Sequence, residues 1–376
     1  MSVSRRSFLR NVGIGAAAAG AVATLPLSES LFAGEPSRAT RPGGPILLNS
    51  NENAYGTFSS VHAAMQRALE ECNRYPDEIE DRFRERVAAL HKVKPEQVQM
   101  GCGSGEILKI AANTFTGPGK KLVMAVPTFE AIGAYAQAGG AEVVKVPLTS
   151  GFAHDLDAML AACEQGTGLV YLCNPNNPTA SLTPRGDLET FLRKLPTHVA
   201  VLMDEAYHHF VDSPEYISFL ERPVDDERML VARTFSKVYG LAGARLGYSV
   251  ASPKLTEAMR PHRLFDSANQ MVLHGALAAL DDAATLRAAI ARNARDREEF
   301  LRQAKARNVA CVPSQANFLM AKTGRPVREV IAHFRQHNIR VGRPFPPMGT
   351  HLRVSLGRPA EMQAFWKAWD QMPHIQ

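Results

Sequence analysis

Arg233-Thr-Phe-Ser-Lys-Val-Tyr-Gly-Leu-Ala-Gly-Ala-Arg-Leu-Gly247 sets a single lysine, Lys237, in a run of small and apolar residues, with Arg245 eight positions later. Both flanks read as strands: Met229-Leu-Val-Ala before it and Leu246-Gly-Tyr-Ser-Val-Ala251 after it. Between them lie two hydroxyls, Thr234 and Ser236, and the glycines Gly240, Gly243 and Gly247. The chain therefore leaves a buried strand, presents a lysine and hydroxyls, turns on glycine, presents an arginine and re-enters the sheet. Hydroxyls and an arginine around a glycine turn suit an anion such as phosphate. A lysine in apolar company loses charge readily and can serve as an amine nucleophile. Taken alone, the stretch is equally compatible with two solvated loop charges.

Working outward, short apolar runs alternate with helical segments. Strands are expected at 98–100, 122–126, 142–146, 169–173, 199–203 and 229–232, with helices at 106–115, 128–138, 155–163 and 184–194. Such alternation argues for a parallel sheet covered on both faces. In that architecture ligands sit beyond the carboxyl ends of the strands. The polar motifs fall there. Gly101-Cys-Gly-Ser-Gly105 joins a strand to a helix N-terminus, a seat for phosphate. Asn174-Pro-Asn-Asn-Pro-Thr179 follows one strand and Asp204-Glu-Ala-Tyr207 the next. Helices dominate 253–307. Short strands at 310–312, 318–321, 340–341 and 352–355 and helices at 327–336 and 359–371 then complete a small α+β unit. Near the start, Ile46–Asn49 reads as a strand and 59–72 and 78–92 as helices, the latter with Ile79, Phe83, Val87 and Leu90 on one face.

Jointly these elements supply what pyridoxal phosphate needs: an amine for its aldehyde, an acid for its ring nitrogen, a phenol and an amide for its 3'-oxygen, and cations, hydroxyls and amides for its phosphate. The order and the motifs resemble the fold-type I aminotransferases, in the class I/II subgroup that contains histidinol-phosphate aminotransferase. The resemblance covers about 46–370. It rests on Leu48-Asn-Ser-Asn-Glu-Asn53, Asn73-Arg-Tyr-Pro-Asp77, Asn174–Thr179, Asp204–Tyr207, Arg233–Gly247 and Leu352-Arg-Val-Ser-Leu-Gly357.

The resemblance implies an α/β fold: a large, mainly parallel cofactor domain with helices on both faces, at 75–265, and a smaller α+β domain built from the N-terminal arm 46–74 and the C-terminal segment 266–376. It implies that Lys237 is the Schiff-base lysine and proton carrier, Asp204 the partner of the ring nitrogen, and Tyr207 and Asn177 the ligands of the 3'-oxygen. Thr234, Ser236, Arg245 and the amides of Ser104 and Gly105 become phosphate ligands, and Phe129 stacks on the ring. Tyr75 reaches the cofactor of a neighbouring subunit, so a homodimer is implied. Arg353 grips the substrate carboxylate. Arg343 is a candidate for a distal substrate anion, and Tyr55 and Asn53 for the pocket wall. The chain departs from the family pattern at Ala54, Gly105 and Ala180, which leaves the cofactor chemistry intact and the substrate open.

The expected reaction is transfer of an amino group to a 2-oxo acid, with histidinol phosphate and 2-oxoglutarate the first substrate pair. Aromatic or other amino-acid donors, and decarboxylation of a phosphorylated amino acid, are served by the same residues. A non-enzymatic alternative is an exported solute-binding protein.

The first 33 residues stand apart. Arg5-Arg6 followed by Phe8-Leu9, ahead of a Gly- and Ala-rich apolar run, matches a twin-arginine export signal. A bacterial periplasmic or exported protein is expected on that basis, and a cytoplasmic one if the signal is not used. The run is too short and weak for a membrane span. Residues 34–45 read as a linker. Net charge is +6, and removal of three arginines and Glu29 with the signal leaves +4. The excess is dispersed, which excludes a nucleic-acid stripe and favours anionic substrates. The five cysteines show no metal spacing, so free and mostly buried thiols are expected. His208-His209, adjacent after a strand, should point opposite ways and not bind metal.

Overall fold

The computed structural model describes residues 44–223 and 226–373; the twin-arginine stretch lies outside them. The described residues include eleven strands: β1 (Ile46–Leu48), β2 (Val98–Gly101), β3 (Lys121–Val126), β4 (Val143–Pro147), β5 (Thr167–Cys173), β6 (Ala200–Asp204), β7 (Met229–Thr234), β8 (Gly247–Ala251), β9 (Phe318–Lys322), β10 (Ile339–Val341) and β11 (His351–Ser355). The helices are α1 (Ser59–Arg67), α2 (Asp77–His91), α3 (Ser104–Phe115), α4 (Ala131–Ala138), α5 (Leu156–Ala161), α6 (Arg185–Lys194), α7 (Pro253–Met259), α8 (Gln270–Asp281), α9 (Ala283–Ala306), α10 (Val327–Gln336) and α11 (Pro359–Asp370).

Seven strands form one sheet in the order β2-β8-β7-β6-β5-β3-β4. The pairs β3–β4, β3–β5, β5–β6 and β6–β7 are parallel, and β8 runs antiparallel to both β7 and β2. Alternate residues of each strand enter different apolar clusters. Val170, Leu172, Val201, Met203 and Val231 face one, whereas Leu169, Tyr171, Leu202, Leu230 and Ala232 face the other. Burial on both faces is why these strands read as unbroken apolar runs. The expected α/β architecture is present.

The register aligns the strand ends. Cys173 pairs with Asp204, and Asp204 with Ala232. Thr234 pairs with Gly247 on the returning strand, so Lys237 rides the loop between them. Gly247 is required there: a Cβ would stand 2.3 Å from the Ser104 backbone nitrogen. That contact brings the start of α3 against the lysine loop.

A third cluster, with Leu48, Phe300, Leu319, Phe334, Val354, Phe365 and Trp366, lies around the two-stranded sheets β1–β10 and β11–β9. Thus β1 crosses nearly the whole sequence to pair in parallel with β10, Leu47 opposite Arg340. Helix α1, by contrast, packs on α8, and its Val61 joins the large sheet's core. The expected strand at 310–312 is only a bridge, Cys311 to Ala321. All five thiols are free, but only Cys173 is buried, and Cys72 and Cys102 are exposed. His208 and His209 sit in a 3₁₀ turn, where their rings approach to 3.6 Å. The turn removes the strand alternation that would have separated them.

Candidate active site

The strand ends enclose a cavity of about 160 Å³, with Ser104, Gly105, Phe129, Asn177, Asp204, Tyr207, Thr234, Ser236, Lys237 and Arg245 in its wall, together with Cys173 and Ala206. Ten residues named as cofactor ligands therefore converge, though their numbers span more than a third of the chain. Tyr75 does not line it and is 78 % exposed.

Lys237 is half-buried, and Nζ donates to the Asn51 carbonyl at 3.3 Å. Desolvation, then the Arg353 charge, pulls its pKa down to about 8. The Asp204 carboxylate ends β6, accepts from Tyr171 Oη at 2.9 Å and from the Ala206 amide at 3.1 Å, and is pushed up to about 6 by burial. The Tyr207 phenol accepts from Asn51 Nδ2 at 3.1 Å, and burial raises its pKa further above its ordinary value. Below these groups a buried ion pair, Arg233 to Glu205 at 2.8 Å, ties β7 to the turn after β6. Each partner is a chain neighbour of a cavity residue, Thr234 and Asp204, so the pair holds the two strand ends in register.

At the far side, α3 begins at Ser104 with no side-chain cap, leaving its first amides turned into the cavity region. Arg245, held at φ 66°, reaches the Ala242 carbonyl at 2.9 Å and Ser236 Oγ at 3.5 Å. A Cβ on Gly103 would fall 2.1 Å from the Arg245 guanidinium, so glycine leaves the space in which that cation sits. Helix-end amides, two hydroxyls and an arginine together make a donor set that could hold a phosphate.

A wider groove of about 810 Å³ adjoins this cavity and shares Phe129, Asn177, Tyr207 and Lys237 with it. Arg353 lies in its wall, 8 % exposed, and donates to Asn177 Oδ1 at 2.8 Å and to the Asn49 carbonyl at 2.7 Å. Its Nε is buried with no partner in the protein, and burial lowers its pKa to about 10. Arg343 also lines the groove but is paired with Glu130 at 2.6 Å. Tyr55 and Asn53 do not line it. Tyr55 donates to Asp296 at 3.1 Å, and Asn53 donates to the Val238 carbonyl at 2.9 Å, steadying the loop next to Lys237.

Three contributors escaped sequence reasoning. Asn51 bridges Lys237 and Tyr207. Tyr171 orients Asp204. Thr128 donates to Asn176 at 2.6 Å, bracing the loop that carries Asn177. For Tyr171 a signal existed: it precedes Cys173 by two on a strand and so shares its face, beside the strand that ends at Asp204.

The family model described as aminotransferase class I and II matches residues 44–368. The chain belongs to this family. Histidinol-phosphate aminotransferase of Geobacillus thermodenitrificans (strain NG80-2) is 37% identical over 314 residues, 83% of this chain and 86% of that protein. Among solved structures, the putative histidinol-phosphate aminotransferase of Erwinia carotovora atroseptica superposes with a TM-score of 0.83 at 29% identity, over 87% of this chain and 95% of that one. Histidinol-phosphate aminotransferase of Sinorhizobium meliloti in complex with pyridoxal-5'-phosphate gives 0.82 at 26% identity, over 88% and 92%.

Pyridoxal phosphate is accordingly the cofactor of this aminotransferase, and the residues present fit it. The seat has donors that suit a phosphate, Asp204 is a buried acid that suits a ring nitrogen, and Lys237 is a half-buried amine. When bound, the cofactor supplies an aldehyde that bonds amines and a ring that accepts the electrons left at the substrate carbon. The protein does the rest. Lys237, drawn down to a pKa of about 8, is an uncharged amine above that pH and can carry a proton at Nζ. Asp204 supplies negative charge inside low-dielectric surroundings. Arg353 faces the groove with a buried N–H still to satisfy, an arrangement suited to a carboxylate or phosphate.

Proposed function

We propose that this aminotransferase takes histidinol phosphate or a closely related anionic amine as donor and a 2-oxo acid such as 2-oxoglutarate as acceptor. The observation that carries the reading is the placement of Lys237 and Arg353 on one groove wall, an amine for the cofactor and a cation for the substrate. The names of the relatives support the choice of donor. In this reading Arg353 receives the anionic group nearest the reacting carbon, while Asn177 and Tyr207 bond the cofactor's 3'-oxygen. Phe129 stacks on its ring, and Thr234, Ser236, Arg245, Ser104 and Gly105 hold its phosphate. Arg343 is a further candidate for a substrate anion once released from Glu130.

The chain is proposed to act as a homodimer in which Tyr75 reaches across to the neighbouring subunit's cofactor. Support comes from the exposure of Tyr75 together with Leu264 at 63 % and Phe265 at 84 %. A division into a large domain, 75–265, and a small one from 46–74 and 266–376 is supported for β1, β9, β10 and β11 by their separate apolar cluster, whereas α1 and α8 pack into the large sheet's core. Export by the twin-arginine route is supported by Arg5-Arg6 and Phe8-Leu9. No helix among the described residues is long and apolar enough to cross a membrane.

A half-reaction screen tests the function. Single donors are added to the holoenzyme and the loss of cofactor absorbance is followed, with product analysis for keto acid against CO2. Histidinol phosphate should react fastest. Faster reaction of a neutral aromatic donor overturns the substrate, and CO2 release without a keto product overturns transamination.

A further inference from the structure

The groove beside Lys237 continues well past the residues used above. Arg328 and Arg335 of α10 and Arg340 of β10 line it, and none of the three lines the cofactor cavity. They sit on α10 and β10, not on the strand ends that carry Lys237 and Asp204. Helical spacing puts them there deliberately: residues 328, 331, 332 and 335 share one face of α10 and all line the groove. Val327, Val330 and Phe334 turn the other face into the core.

Three features separate these arginines from ordinary surface charge. Among the described residues, none of the three has a side-chain hydrogen bond or ion pair, whereas Arg343 and Arg353 in the same groove are both engaged. Among the described residues no Asp or Glu lines the groove, and Glu130 reaches only Arg343. Arg328 sits in the first turn of α10, where the helix dipole disfavours a cation; the dipole explains Arg335 in the last turn but not Arg328. Like charges along one wall without a counter-charge repel one another, and an entering anion relieves that repulsion.

We propose that Arg328, Arg335 and Arg340 form a second anion subsite, so that beside a donor with one anion, such as histidinol phosphate, the groove also takes long substrates that carry an anionic group at each end. One lies beside the reacting carbon at Arg353 and one is remote, at these three arginines. This rests on the aminotransferase reading and extends its substrate class to long amines and 2-oxo acids with a terminal carboxylate or phosphate. The groove's volume of about 810 Å³ leaves room for a chain longer than that of a simple amino acid.

The test compares holoenzyme with the triple variant R328Q/R335Q/R340Q. Calorimetric titration with inorganic pyrophosphate, at two salt concentrations, reads the subsite without turnover. The wild type should bind at least tenfold tighter than the variant, with the difference shrinking at high salt. Half-reactions with 2-aminopimelate and norleucine then read it in catalysis. The ratio of their kcat/KM values should fall at least tenfold in the variant, mainly through KM. A phosphate-terminated donor run beside 2-aminopimelate identifies which anion the subsite prefers. Equal pyrophosphate affinity in the two proteins, or an unchanged ratio, overturns the subsite. If neither protein reacts with any donor while pyrophosphate binding still differs, the subsite stands and the aminotransferase reading falls.

Discussion

At the residue scale, burial sets the chemistry of Lys237. An ordinary lysine keeps its proton to pH 10.5, but here desolvation and Arg353 bring the pKa to about 8. A base with a lowered pKa is uncharged above that value, so cofactor capture by the cofactor-free enzyme should speed up as pH rises through about 8. Stopped-flow absorbance checks this. A midpoint near 10 contradicts the burial argument. Arg353→Gln removes a positive charge, so the midpoint should move upward. Lys237→Ala should abolish transamination and leave no borohydride-fixed cofactor on the chain. Asp204 titrates in the opposite sense, raised by burial and partly restored by the Tyr171 hydrogen bond. Tyr171→Phe removes the restoring bond, so the acidic limb of the kcat profile should shift to higher pH and kcat at pH 7 should drop about tenfold. An unmoved acidic limb means that Asp204 does not control it. Lys237 was legible as a lone lysine in apolar company and Asp204 as an acid at a strand end, whereas Arg353 was named through the family resemblance of Leu352–Gly357. Asn51 was not, because its role depends on a carbonyl and an amide meeting two side chains that lie some 150 to 190 positions away.

At the scale of elements, the turn between β7 and β8 works because it packs on the start of α3. Gly247→Ala drives a methyl group into the Ser104 backbone, and backbone cannot swing aside as a side chain can. Cofactor affinity should weaken by an order of magnitude or more, read by equilibrium dialysis, with the lysine itself untouched. Unchanged affinity places the phosphate seat elsewhere. Helix α10 has a different dependence. Its buried Phe334 stacks on Phe365 at 4.7 Å, so Phe334→Ala should cost about 3–5 kcal/mol in denaturant unfolding. Most helices and strands were legible from apolar periodicity. The 310–312 strand was not realised, because three residues with one bridge to Ala321 make no ladder.

At the scale of the whole molecule, the exposed Leu264, Phe265 and Tyr75 predict that the chain associates. Phe265→Asp should shift sedimentation from dimer toward monomer, and activity should fall with it, since Tyr75 is proposed to act across the contact. A variant that stays dimeric, or a monomer with full activity, removes that role. The sequence by itself determined the alternation of buried strands and helices, the placement of the polar motifs at strand ends and the family resemblance. Those depend on local residue order, and local order survives without knowledge of the path between elements. Only the tertiary structure decided that β1 pairs with β10 and that Asn51 touches both Lys237 and Tyr207. It also decided that Tyr55 leaves the groove for Asp296, and that three unpaired arginines share a wall with the reactive lysine. These are meetings of residues distant in sequence. They are set by register and packing across the whole chain, and no short window of sequence contains them.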